Sequence, residues 1–384
     1  MLQRLSLLLF VVGLGLNLFA QDAYMDAEAE DVEKIYTGGG QYEVKTYPQN
    51  FKAKKPKNII FLIGDGMGVS QVFSGLTANH GQLFLDNFKH VGFSKTQSAD
   101  DFITDSAAGG TALSAGVKTY NGAIGVDTEK KPVKTILEKA EEKGLATGLV
   151  STSSITHATP ASFIAHQENR NMYEEIAADF LKTDIDVFIG GGRDHFTKRK
   201  DGRNLVEELK EKGYDYETDM AKIKDIKSGK LAALTADIHN GRVAERGDML
   251  PVSTETAINI LSNNKKGFFL MVEGSQIDWG GHAGSTIYIV EDMLDFDRTI
   301  GKALDFAAKN RETLVVITAD HETGGFAIAG GDMNTGMVKG AFTSSGHSAV
   351  MVPVFAYGPG AEEFGGIMEN TDVNKKMEKL LINE

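Results

Sequence analysis

A potential metal-binding pair lies in the segment EGSQIDWGGHAG at residues 273–284. Asp278 and His282 are four residues apart, about one helical turn, so both side chains can lie on one helix face and bind one metal ion. A surface ion pair is the simpler explanation for such a pair taken alone. Glu273 favours the metal site, because it ends an apolar run five residues before Asp278 and adds a carboxylate to the same place.

Other polar residues also follow apolar runs directly. Asp65 comes after IIFLIG, and Asp320 and His321 come after LVVITA. The carboxyl ends of strands in an open α/β sheet form the ligand crevice, so these groups are expected to meet there. In GDGMG, the small neighbours of Asp65 would let its carboxylate bridge two ions, although a capping turn is the commoner explanation. A dinucleotide-binding loop is disfavoured because Val69 occupies the third glycine position.

Ser106 is the candidate nucleophile. The segment TDSAAGGTAL at residues 104–113 predicts a turn into a small-residue helix, with Ser106 at or near its N-terminus. A serine there is usually only a helix cap. Beside free backbone amides, however, its hydroxyl is also placed to attack an anion held by the helix dipole. No G-x-S-x-G segment surrounds Ser106, so a Ser-His-Asp hydrolase is not supported.

A second group of candidates follows the predicted strand LATGLV. The segment at residues 151–170 contains His157, Thr159 and Arg170, which together offer metal ligands and a guanidinium suited to two phosphate oxygens. Each of the three could equally be an ordinary surface or capping residue. Four of the nine histidines lie in Gly-, Ser- or acid-rich segments at predicted strand ends: His157, His282, His321 and His347. A role in the core would not require that clustering.

Composition limits the possible chemistry. The chain has 384 residues and no cysteine, which excludes disulfides, thiolate metal sites and cysteine nucleophiles. Any metal ion must therefore bind to histidine, carboxylate or hydroxyl groups. The formal net charge of −13 disfavours a nucleic acid polymer as a specific ligand, because it repels the phosphate backbone.

The first 57 residues differ from the remainder. Residues 1–20 place one arginine before an apolar run, which predicts a secretory signal peptide and a periplasmic or secreted protein. The run is shorter than the roughly 20 residues that span a bilayer, so a stable membrane anchor is disfavoured. Residues 21–57 carry no periodic apolar pattern and predict an extended arm, mobile unless it contacts a partner subunit.

From residue 58 to residue 384, short apolar runs alternate with amphipathic stretches. This rhythm predicts a single α/β domain with a parallel-rich sheet covered by helices. Strands are expected at residues 58–64, 145–150, 186–192, 267–274, 313–320 and 352–358. The charged and less periodic interval 197–250 is expected to form an excursion at the edge of the main sheet.

Over about residues 58–360, these ordered segments closely resemble the alkaline phosphatase family of metal-dependent, secreted bacterial enzymes. The resemblance implies a central mixed, mostly parallel sheet with helices on both faces, and a homodimer. It also implies that Ser106 is the nucleophile, that Arg170 binds the phosphate, and that Asp105 orients Arg170. Two zinc ions and one magnesium ion are implied as cofactors. The implied ligands are Asp278, His282 and His347 for the first zinc; Asp65, Ser106, Asp320 and His321 for the second; and Asp65, Thr159 and Glu273, with His157 nearby, for magnesium.

The sequence departs from the enterobacterial members of the family at two positions. His157 and Trp279 stand where those members carry aspartate and lysine, which bears on magnesium affinity and phosphate release. Trp279 is therefore included among the candidate substrate-binding residues, with packing as its alternative role. The short interval at residues 322–346 implies a small, reduced crown-like insertion.

The function that follows is hydrolysis of small phosphate monoesters through a phosphoserine intermediate. Two alternatives stay open: a phosphodiesterase on the same metal scaffold, and an inactive secreted protein that binds metal or phosphate. A sulfatase is disfavoured because Ser106 is not followed by the x-Pro-x-Arg that such enzymes require.

Overall fold

The structure is a computed structural model that describes residues 31–51 and 54–383. The signal peptide expected at residues 1–20 lies outside the described residues. The described strands are β1 (Ile35–Tyr36), β2 (Asn58–Gly64), β3 (His90–Lys95), β4 (Ala146–Ser154), β5 (Val187–Gly191), β6 (Tyr214–Glu217), β7 (Lys230–Leu234), β8 (Phe268–Gly274), β9 (Thr313–Thr318), β10 (Glu322–Thr323), β11 (Ala327–Asp332), β12 (Met337–Ala341), β13 (His347–Ser348), β14 (Val352–Tyr357) and β15 (Gly366–Glu369).

The helices connect these strands. In chain order they are α1 (Val69–Ala78), α2 (Ser106–Ala115), α3 (Ile136–Glu142), α4 (Ala158–Ala161), α5 (Tyr173–Asp179), α6 (Arg193–Thr197), α7 (Leu205–Glu211), α8 (Met220–Ile223), α9 (Val243–Arg246), α10 (Met249–Leu261), α11 (Gln276–Ala283), α12 (Thr286–Asn310) and α13 (Asn370–Leu381). Short 3₁₀ turns occur at Asp31–Lys34, Phe84–Asn87 and Ala361–Phe364. Across the described ranges, no helix combines the length and the apolar composition that crossing a bilayer demands.

Ten strands form the central sheet, in the order β15-β3-β14-β9-β2-β8-β4-β5-β7-β6. Strand β14 runs antiparallel to both of its neighbours, β3 and β9. The other neighbouring strands pair in parallel. The expected mixed, mostly parallel sheet is therefore confirmed.

Helices cover both faces of this sheet. Every residue of β2 is buried, as expected for a parallel strand with both faces covered. Ile60 and Leu62 belong to the core layer that contains residues of α10 and α12. Ile59 and Phe61 belong to the opposite layer, with residues of α2, α3 and α13. The alternation of neighbouring side chains between layers explains why this run is continuously apolar.

The apolar runs predicted as strands all form strands of the central sheet. The prediction for residues 197–250 needs correction. This interval lies at the sheet edge as expected, but β6 and β7 extend the sheet itself by two parallel strands, so it is not an excursion from the sheet. Strand β6 has only four residues, two of them Asp215 and Glu217, so it offers no apolar run that the sequence pattern could reveal.

The N-terminal segment at residues 35–51 packs against its own chain. The Tyr42 hydroxyl donates to Asp297 Oδ2 (2.5 Å) and the Tyr47 hydroxyl to Asp305 Oδ1 (2.9 Å), and both carboxylates belong to α12. Strand β1 also pairs antiparallel with β12. The expectation that this arm is mobile unless a partner subunit holds it is wrong for residues 35–51, because α12 supplies acceptors for its tyrosines.

The expected short insertion at residues 322–346 contains the hairpin of β11 and β12. Together with β1, this hairpin forms a separate three-stranded antiparallel sheet in the order β1-β12-β11. The insertion and the N-terminal segment therefore build one small substructure.

Arg246, at the end of α9, connects three helices behind the site. Its side chain is 2% exposed, and its Nη2 donates to Asp292 Oδ1 (2.6 Å) and Asp295 Oδ2 (2.9 Å) of α12. Its Nη1 donates to Gln276 Oε1 (3.1 Å), the first residue of α11. Arg246 therefore fixes α11, which carries Asp278 and His282, against α12.

Replacing Arg246 by methionine is expected to lower the free energy of unfolding by about 3–5 kcal/mol, because Asp292 would stay buried without its counter-charge and Asp295 would retain the partly exposed Arg298 alone of its two arginine partners. Arg298→Met is the matched control. Arg298 also pairs with Asp295 (3.0 Å), but its side chain is 36% exposed, so its loss should cost less than about 1 kcal/mol. Urea unfolding of the metal-free proteins, followed by Trp279 emission, measures both. Equal losses in the two variants would contradict this account.

Candidate active site and metal centre

The acidic residues expected at the strand ends meet in one crevice at the carboxyl edge of the sheet. Ile63 of β2 pairs with Glu273 of β8 on one side and Thr318 of β9 on the other. Asp65 and Asp320, each two residues further along their chains, therefore lie beside Glu273. All three carboxylates are 1% exposed or less.

This concentration of carboxylates is electrostatically unfavourable. Burial raises the pKa of Asp65 well above its usual range, and the neighbouring Asp320, Asp278 and Glu273 raise it further. Asp65 Oδ1, Asp320 Oδ2 and Glu273 Oε1 accept no hydrogen bond within the described part of the chain, although His321 Nε2 lies within ion-pair distance of the two aspartate oxygens. Buried unpaired acceptors and mutual repulsion are both relieved when a cation binds among them.

One possible metal-binding group contains Asp65, Asp320 and His321, whose ligand atoms lie within 4.8 Å of one another. His321 Nε2 is 3.2 Å from Asp320 Oδ2 and 3.5 Å from Asp65 Oδ1. Ser106 Oγ also lies 3.2 Å from His321 Nε2. The structure therefore brings together the four residues that the resemblance assigns to the second zinc.

Helix α2 begins at Ser106, and Asp105 is its N-cap. Asp105 Oδ1 accepts from the Ala108 amide (2.9 Å), so the capping role considered for Ser106 falls to its neighbour. The small residues of α2 have a packing reason. A Cβ on Gly109 would lie 3.0 Å from the Asp320 Cβ, so the helix can approach the crevice only without a side chain there.

The second group contains Asp278, His282 and His347. Asp278 Oδ1 lies 3.4 Å from His282 Nε2 and 3.6 Å from His347 Nε2, and the two Nε2 atoms are 3.2 Å apart. The other ring nitrogens bond to backbone carbonyls: His282 Nδ1 to Ser345 (2.6 Å) and His347 Nδ1 to Thr104 (2.9 Å). Such bonds orient metal-binding imidazoles. Asp278 and His282 therefore lie side by side on α11, as their i, i+4 spacing predicts, and their role as metal ligands stays a prediction.

The two groups form one continuous centre. The rings of His321 and His347 stack with centroids 3.5 Å apart. Asp278, His321 and His347 also have ligand atoms within 4.8 Å, so His321 is near both implied zinc positions. Thr323 bonds to Asp278 and lies 3.2 Å from His321 Nδ1. A hydroxyl that the sequence analysis did not single out therefore joins the two groups.

The histidines of the second group differ in their affinity for protons. The charge of Asp278 raises the pKa of His282 to about 9. Burial and then the nearby His321 lower the pKa of His347 to about 4. Because a metal ion must displace the His282 proton, metal binding at this group is expected to strengthen as the pH rises towards 9.

Thr159 and Glu273 flank the other side of Asp65. The Thr159 hydroxyl donates to Asp65 Oδ2 (3.3 Å). Glu273 Oε2 accepts from the hydroxyls of Ser151 (2.6 Å) and Ser275 (2.7 Å). These two serines hold one carboxylate oxygen of Glu273, while Oε1 is one of the unpartnered acceptors. This arrangement leaves an oxygen-rich position beside Asp65.

His157 lies two residues before Thr159 and is neutral. Burial, followed by the charge of Arg170, lowers its pKa well below the usual range, and its Nδ1 has no hydrogen-bond partner among the described residues. Its Nε2 is 3.5 Å from Arg170 Nη2. Trp279, which is 1% exposed, meets the His157 ring edge-on at 6.2 Å and the His239 ring at 5.0 Å. Trp279 thus borders His157, and its role in substrate binding stays a prediction.

Arg170 lies beside the nucleophile. Its Nη1 donates to Asp105 Oδ2 (2.9 Å), which also accepts from the Gly122 amide (3.0 Å). Burial alone would raise the pKa of Asp105, but Arg170 and the amide donors hold it below the usual range. Asp105 is therefore ionised and keeps the guanidinium near Ser106, as the resemblance implies.

Four polar residues of the site were missed by the sequence analysis: Ser151, Ser275, Thr323 and His239. Ser275 and Thr323 each follow a predicted ligand by two residues, and Ser151 begins the segment that contains His157. Proximity to those residues could have identified them. His239 lies in the charged interval with no such neighbour, so nothing in the sequence indicated that it would contact Trp279.

The donor set suits the cofactors that the resemblance implies. Zinc binds imidazole nitrogen and carboxylate oxygen, and magnesium prefers oxygen ligands. The histidine rings lie beside Asp278 and Asp320, whereas the position between Asp65 and Glu273 is surrounded mainly by oxygen atoms. The unpartnered carboxylate oxygens and the raised pKa of Asp65 agree with bound cations.

Comparisons with known proteins agree with this geometry. A model of the alkaline phosphatase family matches residues 56–341 and 336–382. Alkaline phosphatase 4 of Bacillus subtilis is 38% identical, over 85% of this chain and 88% of that protein. The alkaline phosphatase of the Antarctic bacterium TAB5 superposes with a TM-score of 0.81 at 44% identity, over 86% of this chain and 98% of that one. A histidine-to-aspartate variant of the TAB5 enzyme, with Mg bound in its M3 site, superposes equally well, with a TM-score of 0.81 at 45% identity over 86% of this chain and 99% of that one.

These matches extend over most of the folded domain, and they include the strands and helices that carry the crevice residues. The site residues follow one another along the chain and meet at one edge of the sheet, which agrees with these matches. The chain therefore belongs to the alkaline phosphatase family.

Proposed function

We propose that this enzyme hydrolyses phosphate monoesters through a covalent phosphoserine on Ser106. The observation that carries the proposal is the position of Ser106 Oγ at the start of α2, 3.2 Å from His321 in a centre lined by carboxylates and imidazoles. A hydroxyl at a helix N-terminus beside a cation site is well placed for nucleophilic attack on an anion. The pattern of residues 1–20 supports a periplasmic or secreted location.

The proposed centre holds two zinc ions and one magnesium ion. The proposed ligands are Asp278, His282 and His347 for the first zinc; Asp65, Ser106, Asp320 and His321 for the second; and Asp65, Thr159 and Glu273, with His157 nearby, for magnesium. The unpartnered oxygens of Asp65, Asp320 and Glu273 support this assignment. When bound, the zinc ions would favour ionisation of the serine hydroxyl and stabilise the departing alkoxide.

The phosphate group is bound by protein donors that face Ser106. Arg170 offers two parallel N–H groups, and the first turn of α2 offers backbone amides whose dipole attracts negative charge. Asp105 holds the guanidinium in place through the 2.9 Å bond. A monoester presents more free terminal oxygens to these donors than a diester does, which is why monoesters are the proposed substrates.

Hydrolysis then takes two displacements at phosphorus. Ser106 Oγ forms a bond to phosphorus as the bond to the ester oxygen breaks, and the alcohol leaves. Water then attacks the phosphoserine, releasing inorganic phosphate and restoring Ser106. Throughout, Arg170 keeps the non-bridging oxygens in position, which lowers the barrier by orientation and charge stabilisation.

A homodimer is proposed for the assembled enzyme. The support is an apolar patch beside the site that comprises Val69, Phe73, Val350 and Met351, whose exposed fractions are 53%, 46%, 53% and 41%. Val69, Val350 and Met351 line one cavity of about 420 Å³, and Phe73 follows Val69 by one turn of α1. Contiguous exposed apolar surface of this kind is typical of protein interfaces.

Phe73→Glu is expected to convert a dimer into a monomer, because it places a charge within this apolar patch. Sedimentation equilibrium should give twice the chain mass for the wild type and the single-chain mass for the variant. Ile367→Glu is the matched control, since Ile367 is also exposed (66%) but belongs to the edge strand β15. A monomeric wild type, or a dimeric Phe73→Glu variant, would overturn the proposed interface.

Ser106→Ala is expected to lower kcat for p-nitrophenyl phosphate by roughly three orders of magnitude or more, because the variant lacks the hydroxyl that forms the covalent intermediate. Bound zinc, measured by elemental analysis, should be largely retained. Ser114→Ala is the matched control: Ser114 lies in the same helix, but its hydroxyl donates to the Ser162 carbonyl (2.6 Å). Unaltered kcat in Ser106→Ala would exclude the assignment.

Two further measurements on the same preparations separate the alternatives. Chelation should abolish turnover, and zinc with magnesium should restore it, more fully as the pH rises towards the His282 pKa of about 9. Bis-p-nitrophenyl phosphate should be hydrolysed more slowly than the monoester. The reverse preference would indicate a phosphodiesterase, and absence of turnover in the metal-loaded protein would indicate a binding protein.

His157→Asp is expected to deepen magnesium dependence, because it adds a negative charge and oxygen ligands where the wild type has a neutral imidazole. The TAB5 variant with the same kind of exchange and Mg in its M3 site supports this expectation. Magnesium titration followed by Trp279 emission provides a readout independent of turnover. Phosphate added afterwards should also shift that emission if Trp279 contributes to substrate binding.

The control for this exchange is His157→Asn, which introduces an oxygen of similar position without the charge. Magnesium affinity should rise most in His157→Asp and much less in His157→Asn. Identical magnesium curves for the wild type and His157→Asp would show that residue 157 does not influence the third metal position.

A further inference from the structure

A short two-stranded ribbon holds two of the proposed zinc ligands next to each other. Strand β10 pairs antiparallel with β13, so that Glu322 lies opposite Ser348 and Thr323 lies opposite His347. His321 directly precedes β10. Strands of two residues form few backbone hydrogen bonds, and a two-stranded pairing is marginally stable by itself. The positions of both histidines therefore depend on side-chain contacts that hold the ribbon together.

The two faces of the ribbon have different neighbours, because successive side chains of a strand point to opposite sides. Thr323 and His347 face the centre, where the Thr323 hydroxyl bonds to Asp278. Glu322 and Ser348 lie on the opposite face, where the Ser348 hydroxyl donates to Glu322 Oε2. Both residues line a cavity there together with residues of α1. Glu322 therefore joins the two strands on the side that faces away from the metal centre.

The carboxylate of Glu322 also joins the ribbon to α1. Glu322 is 4% exposed, and its Oε1 accepts from the side-chain amide of Gln71 (2.8 Å) and from the backbone amide of Phe326 (2.9 Å). The same amide of Gln71 donates to the Thr323 carbonyl (3.0 Å). With the bond from Ser348, one buried carboxylate thus connects α1, β10, β13 and the chain that follows β10.

Glu322 differs from the carboxylates of the crevice. Asp65, Asp320 and Glu273 each have an oxygen that accepts no hydrogen bond among the described residues. Both oxygens of Glu322 accept from neutral donors instead. The packing is close, since a Cβ on Gly68, the N-cap of α1, would lie 2.6 Å from Glu322 Cγ. This environment suits a residue that holds the chain in place rather than one that binds a metal ion.

We propose that Glu322 is a positioning residue for the zinc ions, which fixes β10 against β13 and thereby the spacing of His321 and His347. The inference rests on the proposed function, which assigns these histidines to the two zinc ions. Removing a hydrogen-bonding group that supports metal ligands usually lowers metal affinity or activity roughly 10- to 100-fold. Glu322 acts through the ribbon and not on an imidazole directly, so a loss of about tenfold is expected.

The test measures the zinc affinity of the metal-free protein by competition with a chromophoric chelator. Glu322→Ala, which removes all three hydrogen bonds, should weaken zinc binding about tenfold. Glu322→Gln should stay close to the wild type, because its oxygen can accept from Gln71 and Phe326 while its amide donates to the Ser348 hydroxyl. Ser348→Ala removes only the bond between the strands and should give a smaller loss.

Asp297→Ala is the matched control. Asp297 is also buried and also accepts three hydrogen bonds, from the Tyr42 hydroxyl and from the amides of Phe84 and Leu85. It belongs to α12 and holds the N-terminal segment instead of a ligand-bearing strand. Its loss should lower the free energy of unfolding, as Glu322→Ala does, but leave zinc affinity at the wild-type value. Thermal unfolding of the metal-free proteins establishes that each variant folds.

Unchanged zinc affinity in Glu322→Ala would overturn the proposal, and so would an equal loss in Glu322→Gln or in Asp297→Ala. If Glu322→Ala does not fold, Ser348→Ala decides, because unchanged affinity in that variant also overturns it. Assays with p-nitrophenyl phosphate on the same preparations separate the inference from the proposed function. A wild type that binds zinc in a Glu322-dependent manner but hydrolyses no ester would refute the proposed function and support the positioning role.

Discussion

The structure depends on one electrostatic constraint, the burial of four carboxylates at the same edge of the sheet. Asp65, Glu273, Asp278 and Asp320 are each no more than 3% exposed. Burial, and then repulsion by the other three, raises the pKa of Asp65 well above its usual range. Positive charge in the crevice offsets this cost, and the imidazoles, Arg170 and the proposed metal ions all supply it.

The fold meets this constraint with rigid elements. Parallel pairing of β2 with β8 and β9 brings the acidic strand ends together, and the helices that follow add Ser106 and the Asp278–His282 pair. Helix α2 can approach the crevice because Gly109 carries no side chain. The Arg246 network ties α11 to α12, so ligands on separate helices keep a common geometry. Such support is what a preorganised centre requires.

Two regions contribute further residues to the surroundings of the centre. Around the proposed magnesium position, the neutral His157 borders the buried Trp279 and His239, so charge is lower there than carboxylate ligands alone would provide. In the second region, the N-terminal segment packs on α12 of its own chain through Tyr42 and Tyr47.

The sequence by itself determined the sheet-end carboxylates and the Asp278–His282 pair, because apolar runs and helical spacing are local properties of the chain. It also determined the family, because the order of those segments is specific. Only the tertiary structure decided that Thr323 joins the two histidine groups, that His239 borders Trp279, and that residues 35–51 pack on α12. These contacts join positions far apart in sequence, and strand register and helix packing alone bring such positions together.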